Sequence, residues 1–219
     1  SDVALNMGKH SSLFSPPKSM DESEIQDVIQ RFTTTAVRAE QAGFDGVEIH
    51  AAHGYLLAQF LSPLTNKRND KWGGSLENRA RLLIDVVKSV KEACGDSFAI
   101  GVKLNSADFQ RGGFDIDDAE QVVKILGELN IDLVELSGGS YEAPAMQGRS
   151  ADAHAGAALQ LHRHRARQPG GQVQVCVAGL RPPLLLGCVL RCCARLRARI
   201  GAAVHSRRPS ALDGRRGDG

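Results

Sequence analysis

Residues 1–150 predict an α/β fold built on a parallel sheet. Three observations carry that expectation. Amphipathic helical stretches and short apolar strands alternate along the chain, each strand follows a helix, and reactive side chain types stand at the strands' C-terminal ends. Alternation implies parallel pairing, because a helix must return the chain to the edge of the sheet where the next strand starts. In such folds the C-terminal strand edge carries function. Alternation alone leaves an open doubly wound sheet and a closed barrel both standing.

Each element has its own warrant. In Met20-Asp21-Glu22-Ser23-Glu24, Asp21 is an N-cap with Glu24 three residues on, a capping box. Ile25, Val28, Ile29, Phe32 and Ala36 then recur at helical spacing, and Gly43 stops the helix. Asp45–His50 (DGVEIH) reads as a strand, and 51–74 as a polar, glycine-containing loop. Ser75 caps a second helix with Leu82, Leu83, Val86, Val87 and Val90, ending near Gly95. Phe98–Leu104 (FAIGVKL) is an apolar strand. Asp115 or Asp117 opens a third helix carrying Val122, Val123, Ile125, Leu126 and Leu129, and Ile131–Leu136 (IDLVEL) is a third strand running into Ser137-Gly138-Gly139. No GxGxxG follows a strand and no GxxxxGK[ST] occurs, which removes the usual glycine-rich phosphate cradles.

Composition divides the chain near residue 150. All 219 residues together carry a net charge of +2. The first 150 hold 15 Lys+Arg against 22 Asp+Glu, whereas residues 151–219 hold 12 Arg against 3 Asp and contain no Lys, Glu, Asn, Thr, Met or aromatic residue. Four of the five cysteines lie there, at Cys176, Cys188, Cys192 and Cys193. A basic nucleic-acid-binding tail would mix Lys with Arg and add stacking aromatics. A metal site would space its ligands, but Cys192 and Cys193 are adjacent and His162/His164 lack finger spacing. A reading frame lost in a GC-rich gene accounts for the missing residue types and the charge reversal together. The expectation is therefore a domain over 1–150 and an irregular or disordered, low-order tail over 151–219 that builds no specific core. Val173–Arg181 imitates a strand and a Gly–Arg loop, but no phosphate site is assigned to it.

No stretch reaches the roughly 20 apolar residues of a membrane span, and no basic-then-apolar leader opens the chain. With one cysteine, Cys94, in the first 150 residues, a reducing cytoplasm is the expected location. The chain opens at Ser1 rather than Met, as a fragment would.

The most informative stretch is Gly46–Leu57, GVEIHAAHGYLL. It sets two imidazoles and a phenol within six positions, directly after a strand: His50, His53 and Tyr55. Together with GVEIHAAHGYLLAQFLSP, the motifs NKRNDKWGGSLENRARLL and GVKLNSADFQRGGF closely resemble the Old Yellow Enzyme family of FMN-dependent ene-reductases and NADH:flavin oxidoreductases. The resemblance runs from about Leu13 to Arg149. It implies part of a TIM (β/α)8 barrel, about strands 4 to 6, with FMN at the C-terminal mouth.

The activity implied is transfer of hydride from NADH or NADPH through non-covalent FMN to an activated C=C bond. A small-molecule alkene, quinone or similar acceptor would be the partner, with a homo-oligomer compatible and nucleic acid or membrane partners not expected. His50 and His53 match the family's paired donors to the substrate carbonyl oxygen; some members carry Asn at the second place. Neutral N–H donors suit an oxygen that gains negative charge during reaction. Tyr55 matches the general acid that protonates the neighbouring carbon. Lys103 stands where many members have Arg, beside the flavin N1/C2 edge, and keeps the charge without the planar fork. No metal is expected.

Taken singly, each residue has a plainer reading: His50 a satisfied strand-end histidine, His53 a loop residue, Tyr55 a packing aromatic, Lys103 a solvated strand end. Asn78, Arg79 and Arg81 read as ties for the long loop. Asp108, Arg111 and Gly112-Gly113 read as loop architecture. A complete barrel takes about 250 residues. The resemblance therefore implies that the first three strands and the last two, with their FMN phosphate site, are missing, and that this chain is incomplete and poorly active. The competing expectation is a non-catalytic half barrel whose basic tail binds nucleic acid or an acidic partner.

Overall fold

The computed structural model describes residues 17–143 continuously, positions 3, 4, 11 and 15, and the backbone of 174–177. In chain order the elements are α1 (Glu22–Gln41), β1 (Gly46–Ala51), α2 (Leu56–Leu61), α3 (Leu76–Ala93), β2 (Ala99–Asn105), α4 (Ile116–Glu128), β3 (Leu133–Ser137) and β4 (Gln174–Val177). The four strands form one sheet in the order β1-β2-β3-β4, every pair parallel. The α/β class with a parallel sheet is as the sequence predicts.

The helix starts follow local chemistry. Asp21 and Glu24 close the capping box reciprocally, satisfying two backbone N–H groups that the first turn leaves without partners. Ser75 accepts from the amide of Asn78, and Asp115, rather than Asp117, caps α4 by accepting from Asp117 and Asp118. The chain leaves α1 through Gly43 in the left-handed region, at φ +89°, where glycine alone lacks a steric penalty.

Two expectations need correction. The stretch 51–74 is not all loop, because Leu56–Leu61 forms α2, a single short helix whose Leu57, Phe60 and Leu61 enter the core. Tertiary burial of this apolar turn outweighs the polar composition around it. The tail is not irregular throughout, because Gln174–Val177 forms β4 and pairs in register with Leu133–Leu136. The exposed backbone of a β3 edge offers an unpaired ladder, and a neighbouring extended segment satisfies it. The rest of the tail, with its cysteines and histidines, lies outside the described residues.

Strand parity divides the sheet into two faces. Ile49, Val102 and Val134 are partners in register, as are Ala51, Leu104 and Leu136, and all six are buried in the core with the helices. The opposite parity carries Glu48, His50, Lys103, Asn105, Glu135 and Ser137.

Between α2 and α3 the chain is held by side chains rather than by regular structure. Asn66 donates to the carbonyls of Phe60 and Trp72, and buried Arg79 donates to those of Leu61 and Gly74 while pairing with Asp118 at 2.8 Å. Arg81 reaches the Lys71 carbonyl and Asn78. Trp72 is buried and donates its indole N–H to Glu22 at 2.8 Å. A Cβ on Gly73 would lie 2.4 Å from the Arg68 carbonyl oxygen, so only glycine fits there. Much of the NKRNDKWGGSLENR motif is therefore scaffold.

Candidate active site

His50 and Lys103 are register partners on β1 and β2, and Glu135 stands opposite Lys103 on β3. The chain leaves β1 and turns sharply at His53, whose φ of +62° puts a non-glycine residue in the left-handed region, at a cost of about 1 kcal/mol. Two contacts hold that turn. The His53 amide donates to Oδ1 of Asn105 at 3.1 Å, and its Nε2 lies 2.6 Å from Ser137 Oγ. Asn105 is itself buried and donates to the Gly139 carbonyl. One amide thus joins the ends of β1 and β2 to the loop after β3.

The rings then assemble. His50 and His53 meet edge to face at 5.2 Å between centroids. Tyr55, the N-cap residue of α2, lies 5.1 Å from His50. Its hydroxyl is 2.6 Å from that of Tyr141. His50, His53 and Tyr55 therefore converge as the sequence expects. Lys103 is the register partner of His50 on the same sheet face, its ammonium 2.6 Å from Glu135.

Electrostatics differ from group to group. Burial and then the positive charge of Lys103 hold the His50 pKa below the ordinary imidazole value, against the pull of Glu135. Both effects favour the uncharged imidazole, and the buried Nδ1 of His50 has no hydrogen-bond partner among the described residues. Loss of water around the Glu48 carboxyl, then the negative charge of Glu135, push its pKa up to about 7 against Lys103. Glu48 as a whole residue is exposed, so it is the carboxyl's local surroundings that act. The hydrogen bond to Tyr141 raises the Tyr55 phenol above its usual value. Among the described residues, no group of three or more His, Cys, Asp or Glu is arranged to hold a metal ion. No helix among them is long and apolar enough to cross a membrane.

Sequence reasoning missed Asn105, Glu135, Glu48 and Tyr141. The first three had a signal. Each is a polar residue inside an apolar strand, at the parity opposite the core residues. Tyr141 had none, because it is 86 residues from Tyr55 and in a loop.

The model of the NADH:flavin oxidoreductase / NADH oxidase family matches residues 2–170. The chain belongs to this family. The match extends past the composition break near residue 150 and ends within the tail. NADH-dependent flavin oxidoreductase nadA of Aspergillus parasiticus is 44% identical over 142 residues, covering 65% of this chain and 32% of that protein. An NADPH dehydrogenase of Bacillus cytotoxicus is 42% identical over 125 residues, covering 57% of this chain and 35% of that one. The solved structure of a 2-naphthoyl-CoA reductase in complex with 2-naphthoyl-CoA superposes with a TM-score of 0.68 at 33% identity, over 84% of this chain and 27% of that chain. The chain thus spans between a fifth and about a third of the length of the curated relatives it matches.

Proposed function

We propose that this chain carries part of the active site of an FMN-dependent oxidoreductase that reduces an activated C=C bond with NADH or NADPH, on part of a (β/α)8 barrel around its fourth to sixth strands. The observation that supports this best is the meeting of His50, His53 and Tyr55 within 5.2 Å of one another through His50, with a buried His50 nitrogen left unpartnered among the described residues. A buried N–H or lone pair without a partner is costly, so its retention suits a ligand atom.

The residues present fit a flavin ring edge. Lys103 would hold its N1/C2 side. Glu135 directs the ammonium and offsets part of its charge, so Lys103 acts as an aimed N–H donor more than as a bare cation. When bound, FMN supplies hydride transfer between the nicotinamide and the acceptor. His50 and His53 donate to the acceptor's carbonyl oxygen and stabilise its developing negative charge. Tyr55, kept protonated, delivers the proton to the adjacent carbon. The substrate is a small electron-poor alkene.

Absorption spectroscopy tests the reading. The 219-residue chain, incubated with FMN and desalted, is expected to retain a flavin band that bleaches with NADH or NADPH. Tyr55→Phe is then expected to lower turnover with an alkene about 10²–10⁴-fold while flavin reduction continues. A colourless protein overturns FMN binding by this chain, and an unchanged turnover overturns the role of Tyr55.

A further inference from the structure

Tyr141 lies near the end of the described residues that follow β3, within the stretch that matches the family but outside the three motifs. Its hydroxyl is nevertheless 2.6 Å from that of Tyr55, with the rings perpendicular at 5.9 Å. Two exposed tyrosines meeting through their ends is an ordered arrangement only if both backbones are fixed. They are. Tyr55 begins α2, and its carbonyl accepts from the Gln59 amide. The Tyr141 loop is closed by the Ser140 amide on the Ala143 carbonyl and by the Glu142 and Ala143 amides on Ser140 Oγ. It is tied to the β2 end through the Gly139 amide on the Ala107 carbonyl, and it packs on the His53 turn, where a Cβ on Gly54 would lie 3.1 Å from that of Ser140.

We propose that Tyr141 is a positioning residue for Tyr55: its hydroxyl anchors the Tyr55 hydroxyl beside the His50 ring and holds the proton there until it is delivered. This rests on the proposed function for what the proton is for, and on geometry alone for the pair itself. Delivery starts from the arrangement in which Tyr55 donates to Tyr141, one of the two that the 2.6 Å contact allows. When Tyr55 gives its proton to the substrate carbon, the Tyr55 O–H bond breaks and a C–H bond forms. Tyr141 then turns its own hydroxyl hydrogen towards the phenolate, and water restores the Tyr55 proton. Ionisable groups near the pair include the imidazole of His50, 5.1 Å from the Tyr55 ring and itself against His53, and the carboxylate of Glu142, beside Tyr141 and within reach of Gln110 at 3.4 Å. Imidazoles and carboxylates titrate well below phenols.

The chain contains two tyrosines, Tyr55 and Tyr141, so phenolate absorbance reads this pair and nothing else. In the unmodified chain the two ionisations are expected to split, one step lying above the ordinary phenol value of about 10. In Tyr141→Phe, which keeps the ring packing and removes the hydroxyl, Tyr55 is expected to titrate in one step at the ordinary value. Carbon-13 labelling at the tyrosine ζ position gives the same answer at neutral pH, where the fold is not challenged. Removing the Tyr141 hydroxyl moves the Tyr55 resonance if the bond exists. Independent titration of both phenols, or a Tyr55 resonance that Tyr141→Phe leaves in place, overturns the proposal. The measurement needs no flavin. A split pair in a colourless protein defeats the proposed function and keeps the pair, and unsplit phenols in a yellow protein do the reverse.

Discussion

The two faces of the same sheet obey different rules. On the helix-covered face Ile49, Val102, Leu104, Val134 and Leu136 are almost wholly buried and pack on one another. On the opposite face, one residue along each strand, stand Glu48, His50, Lys103, Asn105, Glu135 and Ser137. Because strand side chains alternate with period two, one backbone carries a hydrophobic core and a polar site within the same few residues. The first face stabilises through area removed from water. The second contributes little in that way and spends its residues on hydrogen bonds and charge.

That contrast can be broken most severely on the buried side. Leu104→Ala is expected to lower stability by about 2–5 kcal/mol, the range for emptying a packed leucine site, measured by urea unfolding. A loss under about 1 kcal/mol would mean that the helix-covered face is not a true core. Asn105→Ala, on the other face but buried, is expected to cost less, about 1–3 kcal/mol, because it strands the His53 amide and the Gly139 carbonyl. Its distinctive effect is local. Amide hydrogen exchange at His53 should accelerate more than at core strand positions such as Val102.

The smallest effect concerns pH. The folded Glu48 pKa of about 7 lies above its ordinary value of 4.5, so the folded state binds a proton more tightly than the unfolded state. The favourable contribution is fully present below pH 4.5 and is lost as pH rises through about 7. Stability should therefore fall across that window, by no more than about 1 kcal/mol after solvent screening. Glu48→Gln should flatten the curve. A Glu48→Gln profile that still falls across the window assigns the titration to another group.

The sequence exposed the helix-covered face well, because periodicity and caps are local signals. Asp21, Ser75 and Asp115 act as the sequence suggests, and the strand limits shift by only one or two residues. The short helix Leu56–Leu61 was hidden because six residues show less than two turns of period. The site was legible where its residues are neighbours in sequence, as with His50, His53 and Tyr55. It was not legible where strand register brings residues together, as with Lys103 and Glu135, or where two loops meet, as with Tyr55 and Tyr141. Strand β4 was half visible in its letters, but its pairing with β3 is a property of the sheet and not of the segment.

The left-handed turn at His53 also limits which sequences can drift through this position. Asparagine, aspartate and glycine enter that backbone region with little penalty, whereas valine, isoleucine and threonine carry a branched Cβ into it. Substitution here is therefore filtered twice, first by the backbone and then by the need for a side-chain hydrogen-bond donor. Asparagine passes both filters, which gives a physical route for exchanging the imidazole for an amide without rebuilding the loop.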